Sequence, residues 1–298
     1  MANPTDHTTS GRQTTRRAEI IRQPLPADAF GVVQKPLTQW ERLAGNGMLR
    51  KALVLLVLVA IWEIYGLWLD NPLLFPPFSA AIIALGNAIL SGEILIKGFT
   101  SLRILLVGYA IGVIGAALLT FLAISSRVGN DLLELLTAMF NPLPAIALLP
   151  LSLIWFGLGP GSIIFVTVHS VIWAVALNTH SGFLSVSTTL RMVGRNYGLG
   201  GLRYAGAILI PAAAPAILTG LKIGWAFAWR TLIAAELVFG VSAGSGGLGW
   251  FIFENKNMMD IPNVFAGLLT VILIGLFVEN VVFRVIERNT VRRWGMQT

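Results

Sequence analysis

The sequence predicts an all-α integral membrane protein with six transmembrane helices and both termini in the cytoplasm, and three observations lead there. The 298 residues are 55% hydrophobic and only 12% charged, roughly half the charged share of an ordinary soluble domain. Six stretches (52–69, 100–124, 132–156, 162–183, 212–240 and 263–285) are long and apolar enough to cross about 30 Å of hydrocarbon at about 1.5 Å per residue. The basic residues sort to alternate links, as cytoplasmic loops require.

That sorting fixes the orientation. Arg12, Arg16, Arg17, Arg22, Lys35, Arg42, Arg50 and Lys51 precede the first span, and the end of the chain holds Arg284, Arg288, Arg292 and Arg293. Arg127 marks the link after span 2, and Arg191, Arg195 and Arg203 mark the loop after span 4. The alternate links near 70–98, 157–161 and 241–261 hold only Lys97 and Lys256. The net charge of +7 is therefore mostly topology and does not indicate nucleic-acid binding.

Taken in order, residues 1–50 are expected to form a retained cytoplasmic tail with a disordered start. Within it Thr38-Gln39-Trp40-Glu41 has capping-box spacing, and Trp40 with Leu43 suits a short interfacial helix or a solvated one. Residues 51–298 form the transmembrane domain. After span 1, Pro76 and Pro77 stop the helix, and Ser79 is placed to cap an amphipathic outer helix through Leu90. Gly108 with Gly112, and Gly220 with Gly224, have the spacing of close helix contacts without naming a partner.

Span 3 carries Asn141-Pro142-Leu143-Pro144 and then Pro150. Each proline removes a backbone donor that lipid cannot replace, so this span is expected to face protein or a water-filled path. Glu63, Lys222, Arg230, Glu236 and Glu279 also fall within spans, where a charge must pair, face protein or touch water. The candidate path residues are Asn141, Pro142, Pro144, Arg230 and Glu236, with Arg230 meeting an anion in transit and Glu236 ordering the outer gate. The alternative is structural pairing, for example of Lys222 with Glu279.

Several chemistries are excluded or unsupported. There is no cysteine, hence neither a disulfide framework nor a thiolate metal site. His169 and His180 lie near one face of span 4 without accompanying acids, so they are expected to be packed or hydrogen-bonded, and no metal site is expected. Gly244-Ser245-Gly246-Gly247-Leu248-Gly249 matches G-x-G-x-x-G but follows a membrane span, not a strand, and is expected to be a flexible outer loop. No G-x-x-x-x-G-K-[ST] occurs, so the chain does not hold ATP by a P-loop. No nucleophilic triad assembles from its few acids and histidines, and the chain is not expected to be an enzyme.

The polar break from Ser185 to Pro211 gathers three arginines and no acid between two spans. In it, Met192-Val193-Gly194 is followed by three residues, Gly198, nine residues and Ile208-Leu209-Ile210-Pro211. This spacing resembles the E-A-A, three residues, G, nine residues, I-x-L-P loop of permease subunits of ATP-binding-cassette importers, with Met192 in place of the glutamate. Pro211 to Pro215, Thr219 to Ile223, Ala234-Ala235-Glu236-Leu237, Leu73 to Pro77, Ser101-Leu102-Arg103, Asn141 to Gly159 and Val291 to Met296 are similar to the nitrate/sulfonate/taurine branch.

The resemblance implies a type I importer permease of a bacterial inner membrane. It implies a homodimer served by two ATPase subunits, which hold the ATP and Mg, and by a periplasmic or lipoprotein-type binding protein delivering a small anion. The chain itself then carries no cofactor. Met192, Val193, Gly194, Arg195, Gly198, Leu199, Arg203, Ile208 and Pro211 become the ATPase-coupling residues. They are expected to form two short helices, 187–197 and 202–209, joined by Gly198, Gly200 and Gly201. Nitrate, taurine, alkyl sulfonates and aromatic carboxylates all suit a path with one arginine. A nucleotide-independent transporter or channel remains the alternative.

Overall fold

A computed structural model describes residues 45, 47–239 and 246–291, and every regular element among them is helical. The expected tail helix around Trp40, Gly244 and Ser245 of the glycine motif, and Arg292 to Met296 lie outside the described residues. The chain divides into two compact units, Met1–Leu56 and Val57–Thr298, and apart from the start of the first helix the features below belong to the second.

The helices are α1 (Gly47–Leu69), α2 (Phe78–Leu90), α3 (Glu93–Ser125), α4 (Arg127–Phe140), α5 (Leu149–Phe156) and α6 (Pro160–Leu184). They continue with α7 (Thr188–Asn196), α8 (Gly201–Tyr204), α9 (Ile210–Phe239), α10 (Leu248–Asn257), α11 (Ile261–Phe277) and α12 (Arg284–Asn289). Two π-helical segments, Ala205–Leu209 and Val278–Phe283, join α8 to α9 and α11 to α12.

Helix α6 is the spine, packed against α3 on one side and α9 on the other. Both glycine pairs point at it. A Cβ on Gly108 or Gly112 would come within 2.8 Å of Thr167 or 2.7 Å of Val171, and on Gly220 or Gly224 within 2.8 Å of Asn178 or 2.9 Å of Val175. Lipid offers little hydrophobic drive between helices, so such close backbone approach and its dispersion contacts hold them together. Leu105, Val166, Val171 and Leu232 are fully buried along these seams.

The third expected span is not one helix. Among the described residues five helical stretches are continuous and long enough to cross a membrane, and α4 with the Ala145–Phe156 segment forms a pair bent by 87°. Pro142 and Pro144 lack the N–H groups that a continuing helix needs, and Pro144 is extended (φ −61°, ψ 121°). Pro150 sits in the first turn of α5, where no intrahelical donor is required.

Ser79 is not the cap of α2. Pro77 holds that position without a side-chain bond, and Ser79 lies one residue inside the helix. Glu63 on α1 supplies the missing acceptors: Ser79 N–H and Oγ–H donate to its carboxylate at 2.9 and 2.8 Å. An anion across a helix start offsets the positive end of the dipole and satisfies its free N–H groups. Beside it Trp62 donates to Pro76 O at 3.0 Å and packs on Phe78 at 5.1 Å and Phe265 at 5.4 Å.

The other predicted pairing also changes partner. Lys222 meets Glu287, not Glu279, at 2.7 Å. Its long stem carries the amine toward the arginine-rich end of the neighbouring helix, where a charge is least costly.

Candidate functional site

The loop between α6 and α9 is an elbow built from identifiable local signals. Ser187 caps α7 by accepting from Leu190 N–H at 3.3 Å. The helix ends where Gly198 takes φ +68°. Gly198 N–H then bonds Arg195 O at 2.9 Å and Leu199 N–H bonds Gly194 O at 3.1 Å, the paired bonds of a glycine-terminated helix. Gly201 is also left-handed, at φ +54°; Gly200 is not.

Behind the turn, the two limbs touch at Gly194. A Cβ there would lie 2.9 Å from Tyr204 and 3.1 Å from Ile208. Phe183, Val186, Ala205, Leu209 and Ala213 form a small core beneath them. Arg191 is used structurally: it donates to Val186 O at 3.1 Å and Phe183 O at 2.6 Å, closing the carbonyl end of α6. Arg195 and Arg203 are exposed without an ion pair among the described residues. With them, Met192 (56% exposed), Val193 (40%) and Tyr197 (80%) present an apolar tip edged by positive charge.

The second limb is not a separate short helix. From Gly201 the chain runs through α8, the π-helical turn and α9 without a break. Ile210 N–H reaches back five residues to Ala205 O, a widened turn that accommodates Pro211, which has no N–H to give. Pro211 therefore lies inside a continuous helical run, one residue into α9.

The break in the third span faces α6 and α9 across a cavity of about 360 Å³. Asn141, Pro142 and Pro144 form one wall, Arg230 and Phe227 of α9 another, and His169 and Trp173 of α6 a third. The structure thus brings four of the five predicted path residues together. Arg230 is fixed by its Nε donating to Ala226 O at 3.1 Å and by its guanidinium lying 5.0 Å over the Phe227 ring. A second cavity of about 270 Å³ continues from Arg230 to Lys222 and Glu279.

His169 and Trp173 were not among the predicted path residues. Their spacing of four on one helix was the available signal, and Trp173 stacks on Phe140 with centroids 5.4 Å apart and planes at 12°. His169 is packed edge-on against the same rings, but its ring nitrogens have no hydrogen-bond partner among the described residues. His180 is buried elsewhere.

Glu236 stands apart from the cavity, 3% exposed. Ser101 Oγ–H donates to its carboxylate at 2.8 Å, and Gly249 N–H at 2.9 Å. Leu248 N–H donates in turn to Ser101 Oγ at 2.8 Å. A Cβ on Gly247 would collide with Glu236 and Ser101, and one on Gly249 would lie 2.6 Å from Glu236 Cβ. The end of the glycine motif, expected to be a flexible loop, is closely packed because the backbone must reach this carboxylate. Lys97 pairs with Glu254 at 3.9 Å and ties α3 to α10 a second time.

Comparison with known proteins places this architecture. A chain of Methanocaldococcus jannaschii, bearing the name of an ABC transporter permease, is 31% identical over 74% of this chain and 83% of its own length. The nitrate import permease of a Synechocystis strain is 29% identical over 78% and 86%. The taurine transport system permease of Escherichia coli is 29% identical over 75% and 82%. Residues 108–294 match the family described as binding-protein-dependent transport system inner membrane component, and the match spans the elbow, the cavity and Glu236 but not its partner Ser101. The chain belongs to that family and is a multi-pass inner-membrane permease with the type I fold of ABC transporters.

Proposed function

We propose that the chain forms the translocation path for a small anion in an ATP-driven importer. Two identical copies enclose the path, and two separate ATPase subunits carry the ATP and Mg²⁺ and dock on the elbow. A soluble binding protein delivers the solute from outside. The observation that carries this reading is the elbow: Met192, Val193, Tyr197, Arg195 and Arg203 exposed together on the arginine-rich side, mounted on a rod that leads directly to Arg230. An apolar tip with flanking cations suits a cleft that carries acids. Relatives named for nitrate import and taurine transport support a small anion as cargo.

Reconstitution separates this reading from its alternative. The chain would be placed in liposomes alone and with its cognate ATPase and binding protein, and uptake measured with and without ATP. Uptake that needs all components and ATP is expected. Comparable uptake by the chain alone would replace the importer with a nucleotide-independent transporter.

A further inference from the structure

The geometry points to Glu279 as the resting counter-ion of Arg230, a carboxylate that holds the guanidinium while the path is empty and yields it to an anion in transit. Arg230 then alternates between two cavities, and Glu279 sets how strongly a solute must bind to claim it. The inference rests on the transport reading above for the displacing anion, and not for the pairing itself.

Glu279 is the intramembrane charge that the fold leaves over. Lys222, its expected partner, is taken by Glu287 at 2.7 Å, and the other ion pair among the described residues joins Lys97 to Glu254. Glu63 and Glu236 accept hydrogen bonds from Ser79 and from Ser101 with Gly249. Among the described residues the Glu279 carboxylate has neither an ion pair nor a hydrogen bond, and it is exposed on the chain. At this depth an unmatched charge is costly and calls for a partner. Arg230 is in the same position, with only its Nε committed, to Ala226 O.

The two charges share a level. Lys222, Ala226 and Arg230 follow one another at intervals of four along α9, and Gly275, Glu279, Phe283 and Glu287 do so along the last span, which runs the opposite way. The formed pair Lys222–Glu287 fixes the register between these ridges. Arg230 and Glu279 each stand eight residues farther out than their counterparts in that pair, about 12 Å at the rise of an α-helix. Both line the cavity of about 270 Å³ that opens beside α9. Glu279 also lies in the π-helical segment Val278–Phe283, a widened turn of a kind that recurs at functional sites.

Arg230 is common to both cavities, and their charges differ. The larger one, at the broken span, has no Asp or Glu in its lining. The smaller one holds Glu279 and Lys222, and Lys222 is already neutralised by Glu287. Because Arg230 borders both, exchange between them is a change of side-chain rotamers. In the state described here its guanidinium rests over the Phe227 ring, 5.0 Å from the centroid. A carboxylate and an oxyanion make the same charge-assisted bonds to the terminal nitrogens, so an arriving anion replaces like with like. A neutral solute offers no such exchange, and the pairing therefore selects by charge.

The test is a double-mutant cycle on the purified permease–ATPase complex in detergent, read by thermal unfolding. Glu279→Gln is expected to lower the unfolding temperature of the otherwise unchanged complex and to have little effect in an Arg230→Gln background. An equal loss in both backgrounds would overturn the pairing. The chain has no cysteine, so Arg230→Cys combined with Glu279→Cys can be joined by a short bifunctional thiol reagent. An internally linked single chain is expected; a covalent dimer in its place would assign Glu279 to the partner copy and overturn the proposal. Displacement is read by repeating the cycle with excess nitrate or methanesulfonate at constant ionic strength. The coupling should be lost, which a purely structural ion pair would not show, and coupling that persists in both anions would overturn the counter-ion role. None of these measurements requires uptake, so their failure is told apart from failure of the importer reading, which the reconstitution assay decides.

Discussion

Replacing the three elbow glycines one at a time should give unequal results, because only two of them need to be glycine. Gly198 and Gly201 sit at φ +68° and +54° with nothing within 4 Å of an added Cβ, so an alanine there meets only backbone strain. That strain is roughly 1–2 kcal/mol for an L residue, a 5–30-fold shift toward an opened elbow. Gly200 has the same open space without the left-handed φ. Gly200→Ala should therefore be neutral, or stabilising by about 0.4–1 kcal/mol through the unfolded chain. Hydrogen exchange of the Tyr197, Gly198 and Leu199 amides reports the opening, since all three bond within the elbow. Gly198→Ala should lower their protection about 5–30-fold. Equal losses from Gly198→Ala and Gly200→Ala would refute the reasoning, because the two sites differ only in φ. Gly198→Pro removes the N–H to Arg195 O as well, and should abolish ATPase coupling while membrane insertion persists.

Other outcomes follow from packing and bonding. Gly112→Ala, whose Cβ would press 2.7 Å against Val171, should cost about 1–3 kcal/mol by overpacking. Gly86→Ala, with open space, should cost far less, and thermal unfolding in detergent compares them. Ser101→Ala and Glu236→Gln share one buried network, so their effects on unfolding should be non-additive by about 0.5–3 kcal/mol; simple additivity would contradict the observed bonds. Glu287→Gln breaks the part-buried Lys222–Glu287 pair and should lower stability, read from the same unfolding curves.

Much of this was legible in the sequence, and the failures have physical causes. Apolar length and arginine placement are one-dimensional quantities, so spans and orientation could be read directly. The Asn141–Pro144 break was visible because proline lacks a donor, and Arg230 because charge in a span demands a reason. Partner identity was not legible. Glu63 caps a helix sixteen residues away, Lys222 chooses Glu287 over Glu279, and Gly247 and Gly249 are glycines because Glu236 lies against them. Each depends on which faces of separate helices meet, and spacing along one chain does not encode that. That His169 and Trp173 share a cavity with Arg230 was hidden for the same reason, since Arg230 lies on another helix.

The unbroken run from Gly201 to Phe239 makes α9 a lever. Gly220 and Gly224 press its middle against α6 and mark a fulcrum. The elbow lies about 30 Å from that point and Glu236 about 20 Å beyond it, at about 1.5 Å per residue. A tilt of about 5° would move the elbow end by about 3 Å and the outer end by about 2 Å in the opposite sense. Arg230, about 12 Å from the fulcrum on the outer arm, would travel only about 1 Å. A push at the cytoplasmic end would thus swing the Glu236 end while leaving Arg230 nearly still.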